Sequence, residues 1–197
     1  MKTINKTLMA VAVAGTLGMG SVSAMAEGPS ANVSIVSDYV WRGDTQTANN
    51  PAIQGGFDWE KDKLSFGTWA SNVVGGSEID LYGSYNFGPV NVGAIYYYYP
   101  EASSGTYEIN VGGDVGPVSL MASYNPDSAA PYSYYIEAGY SYELSKGTTL
   151  DLHVGQAENL TADYSIGVST SAGGLDVGAT YAAKDTGVFF VSIGKSI

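Results

Sequence analysis

Three residue types that commonly build reactive or metal-binding sites are scarce in this chain. Its 197 residues include no cysteine, one histidine (His153) and one arginine (Arg42). The absence of cysteine excludes disulfide bonds and a lipid-modified cysteine at the N-terminus. One histidine without cysteine argues against a transition-metal site, and residues 44–50 lack the acidic spacing and central glycine of a calcium loop. The sequence therefore predicts no metal and no cofactor.

Basic residues are also few, and long apolar runs are missing after the N-terminus. Lysine and arginine number 8 against 19 aspartates and glutamates, which gives a formal net charge of −11. Such an acidic protein will not bind nucleic acid through bulk electrostatics. Because no later stretch is long and apolar enough for a spanning helix, the chain could enter a membrane only as a closed β-barrel.

The N-terminus has the three parts of a secretory signal peptide. Lys2 and Lys6 form the basic region, residues 8–14 begin an apolar core, and Ala24-Met25-Ala26 supplies a small-residue cleavage site. The apolar stretch is interrupted by glycines and too short for a membrane anchor. The sequence predicts a signal peptide over residues 1–26, and export of residues 27–197.

From about residue 31 to the end, apolar and polar residues alternate between short turn signals. Residues 78–87 and 90–96 alternate on either side of Gly88-Pro89, and residues 107–115 and 118–124 do so around Gly116-Pro117. Period two indicates strands with one apolar and one polar face. The sequence predicts an all-β barrel domain over residues 27–197, with twelve antiparallel strands near 31–42, 51–60, 63–72, 77–87, 90–99, 106–115, 118–125, 133–144, 148–157, 162–170, 175–183 and 187–196.

The predicted connections alternate between tight turns and mostly longer polar loops, and only residues 184–186 break this rule. Short periplasmic turns and longer extracellular loops are typical of a transmembrane barrel of the outer membrane. The largest aromatic residues are predicted at strand ends, as expected at two membrane interfaces. They are Tyr39, Trp41, Tyr98, Tyr107, Tyr124, Tyr134, Tyr164, Tyr181 and Phe189 beside the longer loops, and Trp59, Tyr85, Phe87, Tyr140 and Tyr142 beside the turns. Trp69 does not fit, because the alternation directs it inward; either a β-bulge or a shifted register would explain it.

Several blocks resemble the TorF family of porins. Residues 37–43, with Gln46-Thr47 and residues 51–55, resemble the N-terminal signature of that family, and residues 67–72, 78–80 and 191–196 give further matches. The resemblance covers nearly the whole chain after the signal and implies a small pore in a Gram-negative outer membrane. It implies no substrate and no catalytic residue. Such chains usually end in an aromatic residue that the outer-membrane assembly machinery recognises, whereas this chain ends in Ile197, which weakens that signal.

The polar face of the strands predicts an acidic lumen. Acidic linings favour cations and repel anions, so the sequence predicts a narrow, weakly cation-preferring pore; the alternative is a plugged interior in which the carboxylates pair with basic groups. The predicted lining residues are Asp38, Arg42, Glu78, Asp80, Tyr97, Tyr99, Glu108, Asn110, Asp114, Glu137, Asp151, His153 and Asp163.

Five of these residues, in three groups, allow a specific function beside a structural one. Arg42 could form a constriction or bind a substrate carboxylate, but in so acidic a chain the sequence favours an ion pair with a nearby carboxylate. The inward rings of Tyr97 and Tyr99 could stack a ligand, although filling the lumen is favoured. His153 and Asp151 share the inward face and would suit a hydrolase only with a nucleophile beside them, and no nucleophile motif is present.

The predicted function is passive diffusion of small hydrophilic solutes through an outer-membrane channel without enzymatic activity. The alternatives are a barrel-embedded hydrolase acting on lipids or peptides, and a soluble exported ligand-binding β-protein. The predicted partners are outer-membrane lipids, the solutes and the assembly machinery. An oligomer is left open.

Overall fold

The computed structural model describes residues 28–197, so the predicted signal peptide lies outside the described residues. Fourteen strands and one short 3-10 helix (Pro100–Ala102) are present in this part of the chain. The strands are β1 (Gly28–Val36), β2 (Val40–Trp41), β3 (Asp44–Thr45), β4 (Ala52–Lys61), β5 (Leu64–Val73), β6 (Gly76–Asn86), β7 (Asn91–Tyr99), β8 (Ser104–Val115), β9 (Val118–Tyr124), β10 (Tyr134–Ser145), β11 (Thr148–Ala157), β12 (Asp163–Ala172), β13 (Leu175–Ala183) and β14 (Gly187–Ser196).

Twelve strands form one closed antiparallel barrel, as predicted. Each of β4 to β14 pairs with its neighbour in sequence, and β1 joins both β4 and β14. The β1–β14 ladder runs from Asn32 opposite Ser196 to Val36 opposite Ser192. The last residue continues it, since Ile197 and Ala31 exchange both backbone hydrogen bonds. Closure leaves no unpaired sheet edge.

The alternation predicted from the sequence decides which side chains face outward. In β4, Ile53 and Phe57 are 65% and 69% exposed, whereas Gln54 between them is 2% exposed. The same alternation continues around the barrel, with exposed Leu, Ile, Val and aromatic side chains outside and polar ones inside. Such an arrangement is the reverse of a water-soluble sheet, which buries its apolar face.

Aromatic side chains pair on the outer face near both ends of the barrel. The rings of Tyr124 and Tyr134 lie 5.1 Å apart at the loop end, and those of Tyr140 and Tyr142 lie 6.5 Å apart near the turn end. These positions fit the predicted aromatic pattern, with Tyr39 and Trp41 as exceptions. Both rings lie inside the barrel, because the chain turns inward after β1.

The structure corrects three other details of the predicted strands. The first strand ends at Val36 rather than residue 42, and residues 37–51 leave the barrel wall. The connection between β5 and β6 is the two-residue turn Val74-Gly75 rather than a longer loop. Trp69 does face inward, but the β4–β5 and β5–β6 registers are continuous there, so there is neither a bulge nor a shift. Its ring packs edge-on against Tyr39 at 5.3 Å.

Within residues 28–197, no helix has the length and apolar character needed to cross a membrane.

Candidate functional site

The candidate site is the barrel lumen together with residues 37–51, which we call the inner loop. The inner loop leaves the end of β1 and folds into the half of the lumen nearest the loops. It carries the small hairpin β2–β3, in which Val40 pairs with Thr45 and Trp41 with Asp44. Tyr39 and Val40 are both 3% exposed, although they belong to a connection between two wall strands. The inner loop is therefore part of the interior of the protein.

The sequence of the inner loop explains its local fold. The two residues at the tip of the hairpin, Arg42 and Gly43, have φ of 48° and 78°, as a type I′ hairpin turn requires. The buried Asp38 accepts hydrogen bonds from the hydroxyls of Thr45 (2.6 Å) and Thr47 (2.7 Å). These contacts tie the two arms of the hairpin together, so Asp38 organises the inner loop.

Two apolar clusters fix the inner loop to one side of the barrel. Tyr39 packs with Val36 and Ala52, at the ends of β1 and β4. Val40 packs with Ala182 of β13 and Phe190 of β14. Burial of these side chains supplies the anchorage on this side of the lumen.

A single polar arm reaches the opposite side. The Arg42 guanidinium donates through both terminal nitrogens to the two carboxylate oxygens of Glu108 on β8, at 2.8 Å each. It also donates to the hydroxyl of Tyr132 at 2.7 Å. Its central carbon lies 3.9 Å from the centroid of the Tyr135 ring and 4.2 Å from that of Trp41. Burial by itself lowers the pKa of Arg42. The hydrogen bonds and charge of Glu108 outweigh this effect, so the pKa of Arg42 lies above its ordinary value.

The two attachments lie across the barrel from each other. In the ring of twelve strands β8 is directly opposite β14, so Val40 and Arg42 connect facing walls. The inner loop is also held beside the first apolar cluster, against which Val73 packs, because the amide of Val74 donates to the carbonyl of Gln46 at 2.9 Å. It therefore spans the lumen from wall to wall.

Two carboxylates of β6 lie beside the inner loop. Glu78 is 3% exposed and accepts a hydrogen bond from the hydroxyl of Tyr99 at 3.3 Å. Asp80 is 0% exposed, and neither carboxylate oxygen has a hydrogen-bond partner among the described residues. Tyr39 lies next to both. Burial, followed by these two charges, raises the pKa of Tyr39 well above its ordinary value.

His153 belongs to a polar cluster of β10, β11 and β12. Its Nε2 atom lies 2.9 Å from Asp163 and 3.1 Å from the Tyr135 hydroxyl, and its Nδ1 atom lies 3.5 Å from Glu137. Tyr135 also donates to Asp163 at 3.0 Å. Because the ring of Tyr135 supports Arg42, this cluster lies directly against the arm of the inner loop.

The half of the lumen nearest the turns has a different lining of hydroxyl–carboxylate pairs. Ser141 donates to Asp151 at 2.7 Å, and Tyr82 donates to Asp58 at 2.6 Å. Asp151 and His153 are thus both inward-facing, as expected, but their hydrogen bonds go to different partners. Among residues 28–197, the hairpin β2–β3 is the one sheet element outside the barrel wall, and it lies in the other half.

The predicted lining residues fall into four groups. Asp38 and Arg42 belong to the inner loop. Buried wall positions are Glu78, Asp80, Tyr97, Glu108, Asn110 and Asp163; half-buried ones are Tyr99, Glu137, Asp151 and His153; Asp114 is exposed near the turn end. Their role in conduction stays a prediction. Among the described residues, no group of three or more His, Cys, Asp or Glu side chains could hold a metal ion.

Sequence reasoning missed the aromatic residues that surround Arg42. Trp41 was expected at the membrane interface, and Tyr132 and Tyr135 were not among the predicted lining residues. The useful signal lay in Asp38, Thr45 and Thr47, whose spacing suits mutual hydrogen bonding within a folded hairpin. This spacing indicates that a hairpin forms, but not whether the hairpin folds into the lumen or away from it.

Comparison with known proteins places the chain among barrels. Solved structures similar to it include the KdgM porin, at a TM-score of 0.57 and 9% sequence identity, with 85% of this chain and 97% of that chain covered. A mutant porin of Rhodopseudomonas blastica matches with a TM-score of 0.49 and 11% identity, over 91% of this chain and 81% of that chain. Another mutant of that porin has a TM-score of 0.47 and 9% identity over 74% of this chain; there the chain spans about half of the porin, 55%.

The similarity to the KdgM porin supports a porin-like barrel fold. No curated protein matches the sequence. Residues 23–193 match a family described as "Bacterial protein of unknown function (Gcw_chp)". That match covers nearly all of the barrel, and the chain therefore belongs to the Gcw_chp family of bacterial proteins.

Proposed function

We propose that this chain is a porin-like channel of the outer membrane, through which small hydrophilic solutes diffuse passively with a weak preference for cations. The observation that carries the proposal is the division of side chains between the two faces of a closed barrel. Apolar side chains with aromatic pairs near both ends form the outside, and polar side chains form the inside. Lipid on one side and water on the other is the setting that suits such a wall.

The charges of the lumen support the cation preference. Asp58 and Asp151 point inward in the half nearest the turns, and Glu108, Glu137 and Asp163 do so in the half that contains the inner loop. Arg42 is the one arginine among these groups, and it is already paired with Glu108. An uncompensated excess of carboxylates attracts cations and repels anions.

Recording from single channels in planar bilayers under a potassium chloride gradient tests both parts. We expect a small conductance with a reversal potential of the sign that cation preference gives. Asp151→Asn combined with Glu137→Gln removes two inward charges while keeping the side-chain shapes, and should lower the ratio of cation to anion permeability. Asp62→Asn is the matched control, because Asp62 is an exposed turn residue with φ of 56° that asparagine also tolerates. Absence of conductance, or anion preference in the unmodified protein, would remove the proposal.

The contacts of His153 give the hydrolase alternative no support. Its hydrogen bonds go to Asp163 and Tyr135 rather than Asp151, and no serine in residues 28–197 has a hydrogen bond to it. Unaltered hydrolysis by outer membranes after His153→Ala would discard that alternative.

The proposal includes outer-membrane lipids and the barrel-assembly machinery as partners. The resemblance of residues 37–43, 46–47 and 51–55 to TorF porins supports these partners. Extraction distinguishes the proposal from the soluble alternative. A membrane barrel requires detergent, whereas release by salt alone would favour a soluble exported protein.

A further inference from the structure

The surroundings of Arg42 combine three kinds of contact that recognise a guanidinium group. Glu108 accepts two parallel hydrogen bonds at 2.8 Å, the arrangement that matches the planar fork of a guanidinium. The Tyr132 hydroxyl accepts a third at 2.7 Å. The ring of Tyr135 covers one face of the group at 3.9 Å, within the range of a strong cation–π contact.

All three of these contacting residues belong to the barrel wall or an outer connection, and not to the inner loop. Glu108 is on β8, Tyr135 is on β10, and Tyr132 lies just before β10. Tyr135 is also held from behind, because its hydroxyl is hydrogen-bonded to Asp163 and His153. The wall thus provides a preorganised site, and the inner loop provides the Arg42 side chain that occupies it.

We propose that Glu108, Tyr132 and Tyr135 form a binding site for solutes that carry a guanidinium group, and that Arg42 occupies this site as an internal ligand. A solute of this class takes the place of Arg42, and the arm of the inner loop is then released from β8. The lumen widens beside β8 while the apolar contacts of Val40 with Ala182 and Phe190 keep the inner loop attached at the other wall. The widening, but not the binding, rests on the proposed channel function.

The backbone of the inner loop holds the Arg42 side chain close to the site, so a free solute must compete with Arg42 for it. A side chain held within reach of its site acts at an effective concentration in the millimolar range or above. Removing the side chain by Arg42→Ala leaves Glu108, Tyr132 and Tyr135 in place and ends this competition. We therefore expect guanidinium ion to bind the variant at concentrations at least about tenfold lower than it binds the unmodified protein.

The test is a titration of the folded, detergent-solubilised protein with guanidinium chloride, followed by tryptophan fluorescence. Trp41 is a suitable reporter because its ring lies 4.2 Å from the Arg42 guanidinium. Sodium chloride controls for ionic strength, and urea controls for shape, since it is planar and similar in size but uncharged. We expect a saturable response to guanidinium alone, with half-saturation shifted at least about tenfold between the unmodified protein and Arg42→Ala.

Two further variants make the result specific. The double variant Arg42→Ala/Glu108→Gln should lose the saturable response, because the bidentate acceptor is gone. Lys146→Ala should leave the guanidinium titration of the unmodified protein unchanged, because it removes a cation from the exposed turn between β10 and β11, away from the site and the inner loop. An equal response to urea, no gain in affinity in Arg42→Ala, or retained binding after Glu108→Gln would each overturn the proposal.

Conductance of the same proteins separates this inference from the channel function. We expect the single-channel conductance of Arg42→Ala to be larger than that of the unmodified protein. Added guanidinium should reduce the difference in conductance between the two proteins. If neither protein conducts while guanidinium still binds as described, the channel function fails and the binding site stands. If both conduct but the fluorescence titrations coincide, the channel function stands and the site is refuted. Should Arg42→Ala fail to fold, the titrations of the unmodified protein and of Arg42→Lys decide, since lysine keeps the charge but loses the bidentate contact and should yield to guanidinium at lower concentration.

Discussion

At the scale of single residues, the inner loop depends on the backbone conformation and contacts of a few positions. Arg42 adopts a positive φ and still directs its side chain to Glu108, 66 residues further along the chain. The sequence predicts that Arg42 pairs with a carboxylate, and it does. The identity of the partner is beyond a local pattern, because the contact crosses the barrel and no spacing along the chain encodes it.

Gly43, at the tip of the inner-loop hairpin, has no room for even a single methyl group. Its φ is 78°, and a Cβ atom there would lie 2.7 Å from Cβ of Lys184 and 2.9 Å from Cβ of Asp163. Gly43→Ala therefore adds overpacking to backbone strain, and we expect the inner loop to be destabilised by about 1–3 kcal/mol beyond the strain alone. Hydrogen exchange at the amide of Gln46, which donates to the Tyr39 carbonyl at 2.7 Å, should speed up about tenfold to a hundredfold.

Gly147→Ala is the matched control for this prediction. Gly147 has nearly the same φ, 79°, but a Cβ atom there would meet nothing within 4 Å. It should leave exchange at Gln46 unchanged while straining its own turn. Equal effects of the two substitutions on Gln46 would show that the contacts with Lys184 and Asp163 do not hold the inner loop.

At the scale of elements, period-two alternation was sufficient for the wall strands and failed at one connection. The alternation that places Val33 and Ile35 on one face continues to Tyr39 and Trp41. The pattern therefore extends the first strand past its true end at Val36. Alternation records extended backbone, and both a wall strand and a hairpin folded into the lumen are extended. The direction of the chain after Val36 depends instead on distant partners, Phe190 and Glu108 among them.

A second connection, the short 3-10 helix after β7, gives a pH-dependent contact. The Glu101 carboxylate accepts a hydrogen bond from the amide of Ser77 at 2.9 Å, and this bond lowers the pKa of Glu101 below its ordinary value. Because the folded value is the lower one, the contact contributes fully above the unfolded pKa and is lost as the pH falls through the folded pKa.

We expect protection of the Ser77 amide from hydrogen exchange to decline as the pH is lowered from about 7 to about 3. Glu101→Gln should abolish the pH dependence, because glutamine does not titrate. The exchange rates are compared with those of an unstructured peptide at each pH. Protection that stays constant in the unmodified protein would show that the carboxylate does not hold this turn.

At the scale of the whole molecule, the wall is complete without the inner loop. The β1–β4 ladder runs unbroken from Gly28 opposite Glu60 to Val36 opposite Ala52, and none of its pairs involves residues 37–51. Replacing residues 38–50 by a short glycine-containing turn should therefore leave a folded barrel. Since the element that spans the lumen would be gone, we expect a clear rise in single-channel conductance.

Two measurements check this deletion. Circular dichroism and the heat-dependent change in gel mobility report whether the barrel forms, and planar bilayers report conductance. A barrel that forms with unchanged conductance would show that the inner loop does not limit the pore. A deletion that prevents folding would show that the loop stabilises the wall, contrary to what the ladder implies.

The contacts of the inner loop also impose an order on the maturation of the protein. Val40 follows the first strand, yet it rests on Ala182 and Phe190, which belong to β13 and β14 and are synthesised long after it. The hairpin can reach its final position only after β13 and β14 have arrived beside β1. An incomplete chain would keep Val40 uncovered and the first strand paired on one edge only. Docking of this early segment is therefore a late event, and it marks the moment at which the ring has closed.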